Sequence, residues 1–146
     1  AGGRGSPLVV RARLYRTDGQ QTVPNAVIFA YQTDRNGVYN APGVRGWRLT
    51  GWAKTDAEGT FEFTTIRPAP YPSGDIPAHI HLSADGPSFA RQILGDVRFA
   101  DDPLLTADDR RAAARAGRFT DLCPVTVEHG VERCEILFRL TGEYVF

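Results

Sequence analysis

The stretch Pro77-Ala78-His79-Ile80-His81-Leu82 sets the reading of the chain. Apolar Ala78, Ile80 and Leu82 alternate with His79 and His81, the period-two pattern of a strand expected to run from Ala78 to Ala84. On such a strand both imidazoles leave the same face and can reach one ion. Tyr71, in Pro70-Tyr71-Pro72, lies one short loop upstream. Imidazole nitrogen with phenolate oxygen is a hard, electron-rich donor set that suits iron better than thiolate-loving metals, so ferric iron is the first metal to test. Taken alone, a His-x-His on a half-buried strand is more often packing and surface histidine, and Tyr71 between prolines could simply pack.

Outward from this stretch the chain reads as short strands separated by turn signals. Leu8 to Tyr15 alternates Val and Leu with Arg and stops at Thr17-Asp18-Gly19, and Ala26 to Tyr31 resumes after Pro24-Asn25. Trp47 to Thr55 and Thr60 to Ile66 flank Asp56-Ala57-Glu58-Gly59 and read as a hairpin. Trp47 and Trp52, five apart, fall on opposite faces of that first strand. Gln92 to Phe99 and the β-branched and aromatic run Val131 to Leu140 are further strands. One segment argues for helix: Thr106 to Ala116 opens with a Thr cap and first-turn acids, is rich in alanine and arginine, and ends at Gly117. Strands at this spacing favour an all-β antiparallel sandwich with one short surface helix, since a parallel sheet would need a helix after nearly every strand. The Pro/Gly-rich segment Asn40 to Gly46 reads as a loop between strands, not a domain linker.

With 146 residues the chain reads as a single domain, 1–146, with its core at about 8–140. Its 17 basic and 17 acidic residues balance without runs of like charge, which gives no footprint for nucleic acid or an anionic membrane. No apolar run approaches the roughly 18 residues of a spanning helix, and Ala1 to Ser6 lacks the apolar core of a signal peptide. Methionine is absent altogether, so Ala1 is expected not to be the translation start, and cytoplasmic and exported locations both stay open. The two cysteines, Cys123 and Cys134, flank two strands and a turn; a cross-strand disulfide and a reduced buried pair are both admissible. His129, before Gly130, reads as a solvated turn residue without a role.

At this point a family resemblance emerges. Thr65-Ile66-Arg67-Pro68-Ala69-Pro70-Tyr71-Pro72, Pro77 to His81, Gly86-Pro87-Ser88-Phe89-Ala90 and Asp102-Pro103-Leu104 follow one another as in the intradiol ring-cleavage dioxygenases. Val23-Pro24-Asn25-Ala26-Val27 and Asn36-Gly37-Val38-Tyr39 resemble that family's first core strand and first tyrosine ligand. The resemblance implies a mononuclear non-haem Fe(III) site held by Tyr39, Tyr71, His79 and His81, with hydroxide in a fifth position. Two phenolates and a hydroxide neutralise the trivalent ion in a low-dielectric cleft. It also implies that Tyr71 is axial and leaves when a catechol-type diol binds, Tyr71 and the hydroxide accepting the two phenolic protons. Cleavage with O2 between the hydroxyl-bearing carbons then gives a muconate-type diacid.

Three positions depart from the family pattern. Ile76 stands where an arginine commonly stabilises the anionic substrate, Asp96 where a glutamine is common, and Ser73 where an aromatic often follows the second tyrosine. Substrate contacts are therefore expected at Ile76, Ser73 and Arg48, with Arg45, Arg67 and Arg98 as further cations that could replace the missing one. Asp96 is either a general base or a surface partner of Arg98 or Arg91. Beside the catechol dioxygenase stand two other readings: an iron protein whose oxidation chemistry has drifted to a larger polyphenol, and a non-catalytic module that binds ferric iron or polyphenols.

Overall fold

The computed structural model describes residues 6–39 and 49–143. Nine strands form two facing sheets: β1 (Pro7–Tyr15), β2 (Val27–Gln32), β3 (Leu49–Lys54), β4 (Thr60–Ile66), β5 (His79–Gly86), β6 (Phe89–Phe99), β7 (Leu122–Cys123), β8 (Val125–Glu128) and β9 (Val131–Arg139). One sheet runs β4-β1-β9-β8 and the other β3-β2-β5-β6-β7. The helix α1 (Ala107–Ala116) joins β6 to β7 through a short 3-10 turn, Gly117–Phe119. Thr106 caps it in a reciprocal box with Asp109, and none of its residues is buried, so it is the surface crossover its composition suggests. No helix among the described residues is long and apolar enough to cross a membrane.

The sandwich is mixed, not purely antiparallel. β1 pairs with β9 in parallel register from Leu8–Glu132 to Tyr15–Arg139, and β6 and β7 pair in parallel at Arg98–Leu122 and Phe99–Cys123. Both pairings join segments brought back by crossovers, so their direction depends on the route of the whole chain and leaves no mark on local residue pattern. The expected hairpin of β3 and β4 is also corrected. Its turn exists, with Asp56 Oδ1 accepting from the Glu58 and Thr60 amides at 2.8 and 2.9 Å. However, β3 pairs with β2 and β4 with β1, so the turn carries the chain from one sheet to the other.

The alternation of β5 puts Ile80, Leu82 and Ala84 into the core beside Val97 and Phe99 of β6 and Ile28 of β2. Leu8, Val10 and Leu14 of β1 and Ile136 and Phe138 of β9 meet them from the other sheet. Each large side chain so buried contributes about 1.5–3 kcal/mol, and together they hold the histidine-bearing strand rigidly between two neighbours. Cys123 and Cys134 are both free and buried. The Cys123 thiol donates to the Glu135 carbonyl at 3.0 Å, and its hydrogen bond with Cys134, with burial, pushes its pKa far up. This is the reduced pair, not the disulfide. His129 sits at φ 51° next to Gly130 in the β8–β9 turn, as expected of a turn residue.

Candidate metal centre

With Ile80 and Leu82 buried, His79 and His81 leave β5 on the outer face of the five-stranded sheet. Their rings are perpendicular, with centroids 4.4 Å apart. The loop after β2 brings Tyr39 to them, and the loop after β4 brings Tyr71. Tyr39 Oη lies 2.5 Å from Tyr71 Oη and 2.9 Å from His81 Nε2, and Tyr71 Oη lies 3.2 Å from His79 Nε2. Four residues separated by up to 42 positions thus converge on one point with oxygen, oxygen, nitrogen and nitrogen.

Each ring is held from behind. His79 Nδ1–H donates to the Pro77 carbonyl at 2.8 Å and His81 Nδ1–H donates to Asp96 Oδ1 at 2.9 Å, which assigns both protons to Nδ1 and leaves both Nε2 lone pairs facing the phenols. Burial lowers the His81 pKa below its usual 6.5, with His79 adding to this and Asp96 opposing it. The His81–Asp96 contact is accordingly a hydrogen bond from a neutral ring to a carboxylate, not an ion pair. Asp102, itself buried, accepts from the Ala78 amide at 2.9 Å and from Leu104 at 2.9 Å, anchoring the start of β5.

The tyrosine loops are tied to one another. Asp34 is 3% exposed and its Oδ1 accepts from the Asn36 amide at 2.8 Å, closing the turn that leads to Tyr39. Its carbonyl accepts from Ala69, and Thr33 Oγ1 donates to the Ala69 carbonyl at 2.8 Å, which joins this turn to the segment that presents Tyr71. Gly37 has φ 79°, and a Cβ there would lie 2.0 Å from the Pro70 carbonyl oxygen, so only glycine lets the two loops approach so closely.

The donor set fits a metal ion. Ligands about 2.0–2.1 Å from an ion and 90–110° apart are separated by about 2.8–3.4 Å, and the two phenol–imidazole edges are 2.9 and 3.2 Å. The phenol–phenol edge, 2.5 Å, is a hydrogen bond in which either hydroxyl can be the donor. Burial and the Tyr71 hydroxyl push the Tyr39 pKa far above its usual 10, so a Tyr39 phenolate is stable here only beside a cation, whose charge inverts that preference. His79, His81 and Asp96 also cluster closely enough to ligate together. The carboxylate, however, faces His81 Nδ1, on the side of the ring away from the phenols, and serves the histidine instead.

Asp96 therefore pairs with neither Arg98 nor Arg91. Arg98 is held by Asp121 at 2.6 Å and Asp109 at 3.1 Å, and Arg67 lies over the Phe99 ring between Asp101 and Glu132. Both guanidiniums are thus engaged by carboxylates, Arg98 even though it stands opposite His79 in the β5–β6 register. Ile76 and Ser73 lie exposed on the Tyr71-to-His79 loop. Arg48, Arg45 and Trp47 lie outside the described residues. No role was assigned from sequence to Asp34, Asp102 or the Pro77 carbonyl, which accept from backbone amides or a ring N–H; the Asp34-to-Gly37 turn composition and the Asp102-Pro103 motif were the local signals.

Two phenols and two imidazoles thus converge on the outer face of a β-sandwich, a donor set able to hold one metal ion. A family model described as "Dioxygenase" matches residues 2–135, and the chain belongs to the intradiol ring-cleavage dioxygenase family. It is similar to the protocatechuate 3,4-dioxygenase beta chain of Burkholderia cepacia, 33% identical over 116 residues, covering 71% of this chain and 49% of the relative. The chain spans about half the length of the curated relatives it matches. In fold it resembles the dioxygenase domain of a dioxygenase carbohydrate-binding protein fusion from Streptomyces sp. SirexAA-E, with TM-score 0.72, 22% identity and coverage of 96% of this chain and 82% of that one. An intradiol ring-cleavage dioxygenase from Tetranychus urticae aligns with TM-score 0.72 at 15% identity, covering 98% and 85%.

Proposed function

We propose that this chain is a non-haem Fe(III) dioxygenase that opens a catechol-type ring between its two hydroxyl-bearing carbons. The observation that carries the reading is the convergence of Tyr39 Oη, Tyr71 Oη, His79 Nε2 and His81 Nε2. Ferric iron held by these residues would supply Lewis acidity toward the diol and draw electron density from its ring toward O2.

The chain's own residues divide the remaining work. Tyr39, His79 and His81 are the fixed members, set by the Asp34 turn, the Pro77 carbonyl and Asp96. Tyr71 is on the loop whose next residues, Pro72 to Ile76, are all exposed, and its local support is the Gly74 amide donating to its carbonyl at 2.8 Å. Tyr71 is therefore the donor that yields its place when the diol arrives, and its Oη takes one phenolic proton from the substrate. Its hydrogen bond to Tyr39 Oη stands ready to hold that proton.

Asp96 orients His81 and supports the basicity of its Nε2; with Oδ1 occupied by that bond we assign it a positioning role, not that of substrate base. Ser73 and Ile76 are exposed on the loop between Tyr71 and His79. An apolar Ile76 in place of a guanidinium leaves a developing substrate anion with fewer donors, which favours rings that do not depend on a carboxylate or strongly ketonised anion for binding.

The test is ferric loading followed by oxygen uptake with catechol, protocatechuate and hydroxyquinol. The expected result is a visible phenolate-to-iron absorbance, O2 consumed one-to-one with diol, and a muconate-type diacid. Iron bound with no uptake on any of these diols, or a protein still colourless after loading, would overturn the reading.

A further inference from the structure

The donor cluster occupies one end of the outer sheet face, and the rest of that face is not the polar surface an exposed sheet normally presents. Register aligns Tyr31 with His81, Phe29 with Ser83, and Trp52 of β3 with Phe29. All face outward, because the alternate residues Ile28, Ala30, Ile80 and Leu82 are buried. The rings form a continuous ladder: Tyr31 stacks on His81 with centroids 4.5 Å apart, Phe29 lies 5.9 Å from Tyr31, and Trp52 lies 4.5 Å from Phe29. Trp52 is nevertheless 65% exposed and Ile93, across the groove on β6, is 77% exposed.

Two cavities follow this ladder. One of about 310 Å³ begins at the His81 ring and is walled by Tyr31, Phe29, Arg91 and Ile93; the next, of about 120 Å³, is walled by Phe29, Trp52, Asp85 and Arg91. Phe29, Ser83 and Arg91 line both, so the two are halves of one groove. Arg91 makes no ion pair among the described residues, including with Asp85. Its guanidinium is left to donate into the groove.

We propose that this groove is the subsite for a second aromatic ring on the diol, so that the preferred substrate is an aryl-extended catechol. This rests on the function proposed above and names the substrate class of the same site. Phe29 and Ser83 are two residues along their strands from Tyr31 and His81, about 7 Å, a separation that two rings joined through a two-atom linker match, whereas directly joined rings fall short of it. The second ring packs against Phe29 and Trp52, and an acceptor oxygen on it meets Arg91. Aromatic side chains on a rigid sheet offer large contact area with little ordering cost. A bare catechol makes none of these contacts.

Ferric-loaded wild type and W52A are compared on catechol and 4-(2-phenylethyl)catechol. The ratio of kcat/KM for 4-(2-phenylethyl)catechol over catechol is expected to fall roughly tenfold in W52A, the loss of one ring contact. Quenching of tryptophan fluorescence by 4-(2-phenylethyl)phenol, which lacks the diol, supplies a readout independent of turnover; it is expected to saturate in wild type and to lose its major component in W52A. Catechol cleavage with a ratio unchanged in W52A would overturn the subsite and leave the proposed function standing. Trp52-dependent quenching with no oxygen uptake on either diol would support the groove and overturn the function. A concentration-dependent dimer of wild type that W52A abolishes, with no Trp52-dependent quenching, would assign the face to a second copy of the chain and overturn the proposal.

Discussion

Replacing Asp96 isolates what holds the donor cluster in place. Asp96 Oδ1 accepts the His81 Nδ1 proton at 2.9 Å, and its side chain is 37% exposed. A hydrogen bond to a charged group contributes about 1.5–3 kcal/mol and a neutral one about 0.5–1.5 kcal/mol; solvent screening at this exposure places the pair at the lower end. D96A should therefore cost about 1.5–2 kcal/mol, a roughly 10- to 30-fold loss in ferric affinity. D96N keeps an acceptor for Nδ1–H and should cost about 1 kcal/mol, roughly fivefold. The loss does not come from protonating His81, because Asp96 raises that pKa and its removal lowers it further. It comes from a ring free to turn and a less basic Nε2. Iron titration followed by visible absorbance reads the effect, with thermal unfolding of the metal-free protein as control. If D96A binds iron as wild type does, or loses affinity only in proportion to lost stability, the positioning role fails.

G37A should destabilise the fold by about 1–3 kcal/mol and weaken iron binding as well, since a Cβ there meets the Pro70 carbonyl and drives the Tyr39 and Tyr71 loops apart; unchanged iron stoichiometry would refute it. Asp56 has its pKa held below the usual 3.8 by the Thr60 and Glu58 amides. A depressed carboxyl gives stability that is complete above the unfolded value and is lost as pH falls through the folded one. Acid unfolding of D56N should accordingly show a weaker pH dependence below about pH 4, and superimposable curves would refute this. Cys123 and Cys134 should be unreactive to a thiol reagent in the native protein and both titrate in denaturant; two fewer thiols after non-reducing denaturation would show a disulfide instead.

Local chemistry carried much of the outcome. Alternation in Ala78 to Leu82 named a strand and placed both histidines on one face, because period two is a property of the backbone itself. Thr106, Asp109 and Gly117 bounded the helix through capping groups that lie within a few residues of each other. Tyr39 and Tyr71 were legible through motif context, and Ile76, Ser73 and Asp96 stood out as departures from it.

Long-range geometry decided the rest. The parallel pairing of β1 with β9 and the passage of the Asp56 turn between sheets depend on where distant segments return, and no local pattern encodes a direction of return. The partner of Asp96 is His81 because cross-strand register sets those residues opposite each other, whereas charge alone pointed to arginine. Arg67 and Arg98 found nearer carboxylates, and Cys123 and Cys134 met in a dry core between sheets. The residue types thus specified which chemistry is possible, and the packing of two sheets chose which atoms meet to perform it.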